Sequence, residues 1–539
     1  MDIALNLKNK IQASLAKLGQ EVSLNDIIIE KSKDTAHGDY ATNVAMKLAR
    51  AFSKSPRDVA SLIIENIDLE GIDKIEIAGP GFINFFMKND SIQVFVKKII
   101  DEGDNYGRSP RNNLKVNVEF VSANPTGLLH VGTARGAAIG DSISRILDFA
   151  GYDVTKEYYI NDAGSQITNL ALSIQARYRE LFGLEGVIPE DGYAGHDIVE
   201  IAEVIKNEIG DQALKMDDPV AYFKERGMKI ELDRIINDLA TFRVHHDVFS
   251  SEKAIRADSA IEKEINFLKD YVYEAENALF LKTTAFIDDK DRVIRKANGD
   301  YTYFMPDICY HVNKMSRGFD QLIDVLGADH HGYINRMKSA LMMHGYKEDA
   351  LHVELIQMVR FLKNGQEYKA SKRRGDAITL RDVCEEVGVD AMRYFFAMRA
   401  ASTHLDFDMD LAIEQSSNNP VYYAQYAHAR LCSILEQGKD IAIDESAKNL
   451  TQVSELALLK HLANFGNVVV DAAKDKAPYK IANYIHALAE LVHVFYNDCR
   501  VIDRENLELS GSRLALVKAS KIVLKNALAL IGVSAPIHM

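Results

Sequence analysis

Apolar residues along this chain change their spacing several times, and each change marks an element. The opening, MDIALNLKNKIQ, has the three- and four-residue spacing of an amphipathic helix. Further amphipathic helices surround HGDYATNVAMKLARAF, and DKIEIAGPGFINFFM reads as strand, turn, strand, with Gly79-Pro80-Gly81 between its apolar runs. The pattern breaks into Gly, Pro, Asn and Arg at YGRSPRNN, residues 106–113, which predicts a linker. From Lys115 the order is strand (KVNVEFV), turn, helix (133–150), Gly151 and a second strand (DVTKEYYI). That is a βαβ unit, and it implies a parallel sheet with a right-handed crossover.

Beyond residue 165 the chain turns charged and helical, with periodic apolar positions in IVEIAEVIKNEI and AIEKEINFLKDYV. Strand-like runs return in DYTYFMPDICYHV and QLIDVLGADHHGYI, and everything after about residue 415 has helical period. The expected fold is therefore α/β: a Rossmann-like, doubly wound parallel sheet over 111–414 with a helical insertion at about 165–285. An N-terminal α+β domain with its linker spans 1–110, and an all-α bundle spans 415–539. No internal repeat or low-complexity segment interrupts this plan.

Composition adds limits. A chain of 539 residues is too long for one core, and 47% hydrophobic with 26% charged residues is ordinary for a globular protein. No apolar run approaches a membrane span and the start is not a signal peptide, so a cytoplasmic protein with no membrane partner is expected. Cys309, Cys384, Cys432 and Cys499 lie far apart, which supports neither a disulfide framework nor a C-x-x-C zinc site. A net charge of -14 argues against indiscriminate coating of nucleic acid. One local exception stands at the end: after Glu508 there is no acid, while Arg513, Lys518, Lys521 and Lys525 accumulate, the last three along one helix face.

The chemistry begins at SANPTGLLHVGTARGAA, residues 122–138. Neither G-x-G-x-x-G nor G-x-x-x-x-G-K-[ST] is present, so ordinary dinucleotide and P-loop readings are weak. Yet His130 and Gly132 stand where a helix N-terminus meets the end of a strand, a natural place for phosphate. Far downstream, EYKASKRRGDAITLRDV supplies a basic loop: Lys369, Ser371, Lys372, Arg373 and Arg374, then Gly375. Taken singly, the first is a common turn and the second a solvated basic loop.

Taken together they resemble the two signatures of class I aminoacyl-tRNA synthetases, His-Ile-Gly-His and Lys-Met-Ser-Lys. Here they stand as His130-Val131-Gly132-Thr133 and Lys369-Ala370-Ser371-Lys372. The stretches VEFVSANPTG, EYYINDAGSQI, YFMPDICYH, LGADHHGYINR, HLDFDMDLA and NPVYYAQYAHAR narrow the resemblance to arginyl-tRNA synthetases, over essentially the whole chain.

The resemblance implies an N-terminal domain at the tRNA elbow, a doubly wound catalytic domain and an anticodon-binding bundle. It implies arginine and ATP giving arginyl-adenylate and pyrophosphate, then transfer to the 2'-hydroxyl of the terminal adenosine of tRNA(Arg), with the first step dependent on tRNA. Glu119, Asn124, Tyr303 and Asp307 would hold arginine, joined by His330. His130, Thr133, Gly327, Asp329, His331, Lys369, Ser371 and Lys372 would hold ATP, with catalysis falling to His130, Gly132, Thr133, Lys369 and Lys372. Mg2+ would arrive with ATP, without a tightly bound cofactor or a protein metal site, and a monomer is the family expectation. His330-His331 and His245-His246 point in different directions with no third ligand at a regular spacing, so structural roles are expected for the second pair.

Alternatives stay open at several positions. Glu119 also fits a strand carboxylate paired with a lysine, Asp307 a helix N-cap, and Thr133 an N-cap where the family signature has histidine. Among Tyr422, Tyr423, Gln425, Tyr426, His428 and Arg430, aromatic faces and donors suit unpaired bases, and Tyr422, Tyr426 and Arg430 with Lys518 and Lys521 are the expected tRNA contacts. Two rival functions remain: a small-molecule adenylyltransferase, and a tRNA-binding paralogue that lost its chemistry at Thr133.

Overall fold

The computed structural model describes residues 3–32, 37–255, 258–368 and 378–539. Its contacts divide into two units, the first made of Met1–Gly103, Ile434–Ala463 and Leu491–Ser520, the second of the remainder. In the first, the strand-turn-strand motif forms as Ile72–Ala78 and Phe82–Met87, paired antiparallel in a four-stranded sheet. Gly79 and Gly81 take positive φ between them, as the turn requires. Leu7, Ile11 and Leu15 of the opening helix pack with Ile63, Ile83 and Phe85 to form its core.

The second unit holds a five-stranded parallel sheet, and its strands are β1 (Lys115–Glu119), β2 (Asp153–Ile160), β3 (Val248–Ser251), β4 (Gln321–Gly327) and β5 (Leu351–Ile356). Their spatial order is 3-2-1-4-5, all parallel. The chain therefore reverses its direction of travel between β1 and β4, which is the switch point where doubly wound sheets bind ligands. Helix α1 (Ala134–Phe149) makes the first crossover and is buried along most of its length, with Ala137, Ala138, Ile143, Ile146 and Leu147 turned inward.

Two sequence expectations need correction. The helical insertion ends well before residue 285: Ser165–Glu180, His196–Ile209 and Pro219–Thr241 are its helices, packed around Ile174, Tyr178, Ile201 and Phe223, and β3 then returns to the main sheet. Residues 272–295 instead contribute a three-stranded antiparallel sheet. Its first hairpin turns on Glu276 and Asn277, both at positive φ, as a two-residue type I′ turn demands, without the glycine that usually announces one. The second correction concerns YFMPDICYH, part of a run that reads as strand-like in the sequence. It forms helix α2 (Phe304–Ser316), with Phe304, Met305, Ile308, Cys309 and Met315 buried at helical spacing and Pro306 tolerated in the first turn. Among the described residues no helix is long and apolar enough to cross a membrane. All four cysteines are free thiols; Cys309 and Cys499 are buried, Cys384 and Cys432 only partly so.

Candidate active site

The carboxyl ends of β1 and β4 face the switch point, and the loop after β1 is held there under strain. Val121 and Ser122 have φ of 72° and 41°, a costly conformation for a β-branched residue. Three bonds hold it in place. The Ser122 hydroxyl donates to Glu119 Oε1 at 3.0 Å, the Tyr159 N–H donates to Ser122 Oγ at 3.1 Å, and the Tyr158 hydroxyl donates to the Ala123 carbonyl at 2.6 Å. Beyond it, the Asn124 amide donates to Gln166 Oε1 at 2.6 Å.

His130 opens the turn that leads into α1. Its Nδ1 accepts the Gly132 N–H at 2.9 Å, so in the neutral ring the proton sits on Nε2 as an outward donor. Gly132 is required by close approach: a Cβ there would lie 2.9 Å from His130 Nδ1. Thr133 occupies the N-cap position of α1 without making a capping bond. Its hydroxyl donates backward to the His130 carbonyl at 2.7 Å, so the N-cap expectation fails in its usual hydrogen-bonded sense.

Lys369, Ser371 and Lys372 lie outside the described residues. The backbone that follows them is described, and it pairs with the His130 turn: the Val131 N–H donates to Ile378 O at 3.0 Å, and the Leu380 N–H to Leu129 O at 2.8 Å. His130 and Thr379 form the bridge between these bonds.

Beneath the crevice runs a buried charge network that sequence reasoning missed. Lys314, on α2 and fully buried, pairs with Glu119 and with Asp324 of β4, the latter at 3.1 Å. Burial alone would lower the Lys314 pKa, but Asp324 and Glu119 reverse the shift and raise it. His311 Nε2 lies 2.7 Å from Asp324 and Nδ1 2.7 Å from the Asp307 carbonyl; two acceptors require both ring protons, so His311 is an imidazolium. Burial opposes that charge, and Asp324 outweighs the burial and raises the pKa. The Asp324 carboxyl would itself be raised by burial, yet Lys314 and His311 hold it well below the usual range. A signal was present: an acid inside the apolar strand QLIDVLG needs a buried cation, and Lys314 follows on the adjoining helix. Glu119 thus has the lysine partner that its alternative reading named.

Asp307 differs. It lies one turn into α2, whose N-cap is Tyr303, so Asp307 is not a cap. Burial pushes its carboxyl up to about 7; His311 lowers it, while Glu119 and Glu252 raise it further. No cation pairs with it among the described residues. Tyr303 is 80% exposed. At the end of β4, Gly327 caps a short 3-10 turn, Ala328–Tyr333, and a Cβ on it would meet Asp329 Oδ1 at 2.5 Å. Asp329, His330 and His331 are exposed on that turn, with His330 Nε2 3.7 Å from Asp329 Oδ2. His246, by contrast, is packed on Phe120 at 4.4 Å and pushed down to about 4 by burial, consistent with a structural role.

In helix α3 (Pro420–Gln437) the six singled-out residues divide by face. Tyr422 and Tyr426 stack in parallel, centroids 6.0 Å apart, and the Arg430 guanidinium sits 4.7 Å above Tyr426 and donates to its hydroxyl at 2.8 Å. Tyr423 packs on His486; Gln425 donates to Asp390 and His428 bonds the Pro536 carbonyl, so these three serve packing. Of the basic stripe, Lys518 lies 3.9 Å from Glu445 and Lys525 2.9 Å from Asp104, which leaves Lys521 without a carboxylate among the described residues.

Comparison with known proteins gives this geometry its setting. Residues 95–435 match the family described as tRNA synthetases class I (R), catalytic domain; residues 5–87 match the arginyl tRNA synthetase N terminal domain, and 424–539 the DALR anticodon binding domain. The chain is 50% identical to the arginine–tRNA ligase of Bacillus subtilis over 99% of its own length and 98% of that protein's, and 51% identical to that of Shouchella clausii over 97% and 96%. Among solved structures, a putative arginyl-tRNA synthetase from Campylobacter jejuni superposes with a TM-score of 0.78 at 33% identity, covering 84% of this chain and all of that one. Such identity across nearly the full length of both partners, on a sheet whose switch point carries the His130 turn, means that the chain belongs to the arginyl-tRNA synthetases of class I and is an arginine–tRNA ligase.

Proposed function

We propose specific residue roles for this ligase. Asp307 receives the guanidinium, with Glu119, Asn124, Tyr303 and His330 completing the arginine site, and Asn124 toward the α-amino and carboxylate end. ATP lies along the His130 turn and the end of β4, with its adenosine near Gly327, Asp329 and His331 and its phosphates between His130 and the segment of Lys369, Ser371 and Lys372. The observation that carries this reading is the backbone pairing of Leu129 and Val131 with Ile378 and Leu380, which brings the exit of the lysine segment to the histidine turn.

The chemistry follows from those positions. An oxygen of the arginine α-carboxylate bonds to the α-phosphorus while the bond to the bridging oxygen breaks, and pyrophosphate leaves with the electron pair. Charge grows on the departing phosphates, where the His130 Nε2–H, the N-terminus of α1 and the two lysines supply donors and positive potential. The 2'-hydroxyl oxygen of the terminal adenosine then bonds to the arginyl carbonyl carbon, the bond from that carbon to the phosphate oxygen breaks, AMP leaves with the electron pair and the hydroxyl proton is released. Mg2+ arriving with ATP would be held mostly by phosphate oxygens and water and would supply neutralisation of phosphate charge. Tyr422, Tyr426, Arg430, Lys518 and Lys521 contact tRNA(Arg), the two tyrosines offering stacking faces. The protein acts as a cytoplasmic monomer, with domain limits near residues 110 and 415.

The test is arginine-dependent pyrophosphate exchange with and without tRNA(Arg). Exchange only in its presence is expected. Exchange without tRNA would overturn the dependence of the first step, and none under either condition would overturn the site and favour a paralogue that only binds tRNA.

A further inference from the structure

Arg135, the second residue of α1, is fully buried and no carboxylate pairs with it among the described residues. Burial alone pulls its pKa down to about 10. Its position is doubly unfavourable, since a cation near a helix N-terminus opposes the macrodipole and a buried charge needs compensation. What compensates it is three backbone carbonyls: Nη1 donates to Gln357 O at 3.0 Å and Thr403 O at 2.7 Å, and Nη2 to Ala400 O at 2.8 Å.

Those carbonyls come from two distant segments that begin one small piece of structure. Gln357 precedes β6 (Val359–Lys363), and Ala400 and Thr403 precede β7 (Leu405–Asp408). The two strands pair in parallel, and the Gln357 N–H donates to Ala401 O at 3.0 Å at their root. In sequence β6 precedes the lysine segment, and Ile378 and Leu380, which come after that segment, pair with Val131 and Leu129. The planar fork of a guanidinium reaches three carbonyls in fixed directions, which an ammonium cannot reproduce.

We propose that Arg135 is a positioning residue for adenylate formation. By gripping the roots of β6 and β7 from the helix that begins at the His130 turn, it sets where this strand pair stands relative to that turn. It touches neither substrate. The proposal rests on the residue roles given above, and it assigns Arg135 to the ATP half of the reaction and not to arginine binding.

The experiment compares Arg135→Gln, Arg135→Met and Arg135→Lys with the unaltered full-length protein in pyrophosphate exchange with tRNA(Arg), arginine calorimetry and hydrogen exchange. Arg135→Gln keeps two donors and removes the buried charge, so it serves should the methionine variant fail to fold. Expected for the folded variants is at least a tenfold loss of exchange kcat or rise in KM for ATP, with the arginine Kd within twofold of the original. The Gln357 and Leu405 amides exchange faster, and Arg135→Lys recovers part of the loss. Unchanged ATP kinetics in Arg135→Gln, or arginine binding and exchange declining together, would overturn the proposal. Absence of exchange in the unaltered protein would instead overturn the residue roles, a separate outcome.

Discussion

Asp307→Asn gives the sharpest test of the arginine site. In the free protein the carboxyl titrates near pH 7, because burial disfavours its charge and Glu119 adds repulsion. Arginine's guanidinium stays charged throughout the neutral range, so it binds the ionised form and lowers that pKa. The sign is fixed: affinity rises with pH through 7, since below it a proton must first leave. With a free-state value of about 7, affinity at pH 8 exceeds that at pH 6 roughly tenfold, and about half a proton is released per arginine bound at pH 7. Folding carries the opposite slope. A carboxyl raised from 3.8 to about 7 makes the ligand-free protein lose stability as pH climbs through that window, by at most about 4 kcal/mol. Asp307→Asn removes both slopes and weakens arginine binding by roughly 2 to 5 kcal/mol. Calorimetry in buffers of different ionisation enthalpy, with thermal unfolding at pH 5 and 8, measures all of this. An arginine affinity that ignores pH in the original protein, or an asparagine variant that keeps both affinity and slope, refutes the reasoning.

Other outcomes follow from the same geometry. Gly132→Ala places a methyl 2.9 Å from His130 Nδ1, so the ring must turn and its tautomer is released; a loss of about 10² in exchange kcat with unchanged arginine Kd is expected, and an unaffected kcat would contradict the role of that ring. Thr133→His exchanges a hydroxyl bond worth about 1 kcal/mol for a phosphate donor, and the adenylation rate should rise, with a ceiling of about 10² to 10³. Equal or lower activity would mean that the phosphate site is built differently. Lys314→Met strands Glu119 in the interior and leaves Asp324 with His311 as its one remaining cation among the described residues, and should cost about 3 to 5 kcal/mol in chemical denaturation; a change under 1 kcal/mol would show that the network is not held by that lysine.

Much of this was legible in the letters. Period alone gave β1, α1 and β2, and the run QLIDVLG gave β4, whereas the order of the strands in the sheet comes from the structure. What stayed hidden had physical reasons. The hairpin at Glu276 and Asn277 turns without a glycine, on an asparagine and a glutamate that no turn signature marks, so the insertion is read too long. α2 was misread because aromatic residues serve a buried helix as well as a strand. At the candidate site, His130, Gly132, Glu119 and Asp307 could be singled out from their motifs, but the network of Lys314 and His311 could not, because it depends on Glu119 and Asp324 from separate strands. Thr133 shows the limit at one residue: the preference for a cap was right about its position and wrong about the direction of its hydrogen bond.

The strand order has a further consequence during synthesis. β1 pairs with β2 soon after both are made, but its other neighbour arrives late: the Lys115 N–H is met by Asp320, 205 residues further on. At a ribosomal rate of about 5 to 20 residues per second, that edge waits roughly 10 to 40 s for β4. An open row of backbone donors and acceptors invites pairing with another nascent chain. Asn117 and Glu119, polar residues set among Val116 and Val118, break the apolar character of that waiting edge. The same glutamate that pairs with Lys314 in the finished fold thus breaks the apolar edge of an unfinished sheet, and a hydrophobic replacement there would be felt first as aggregation of nascent protein.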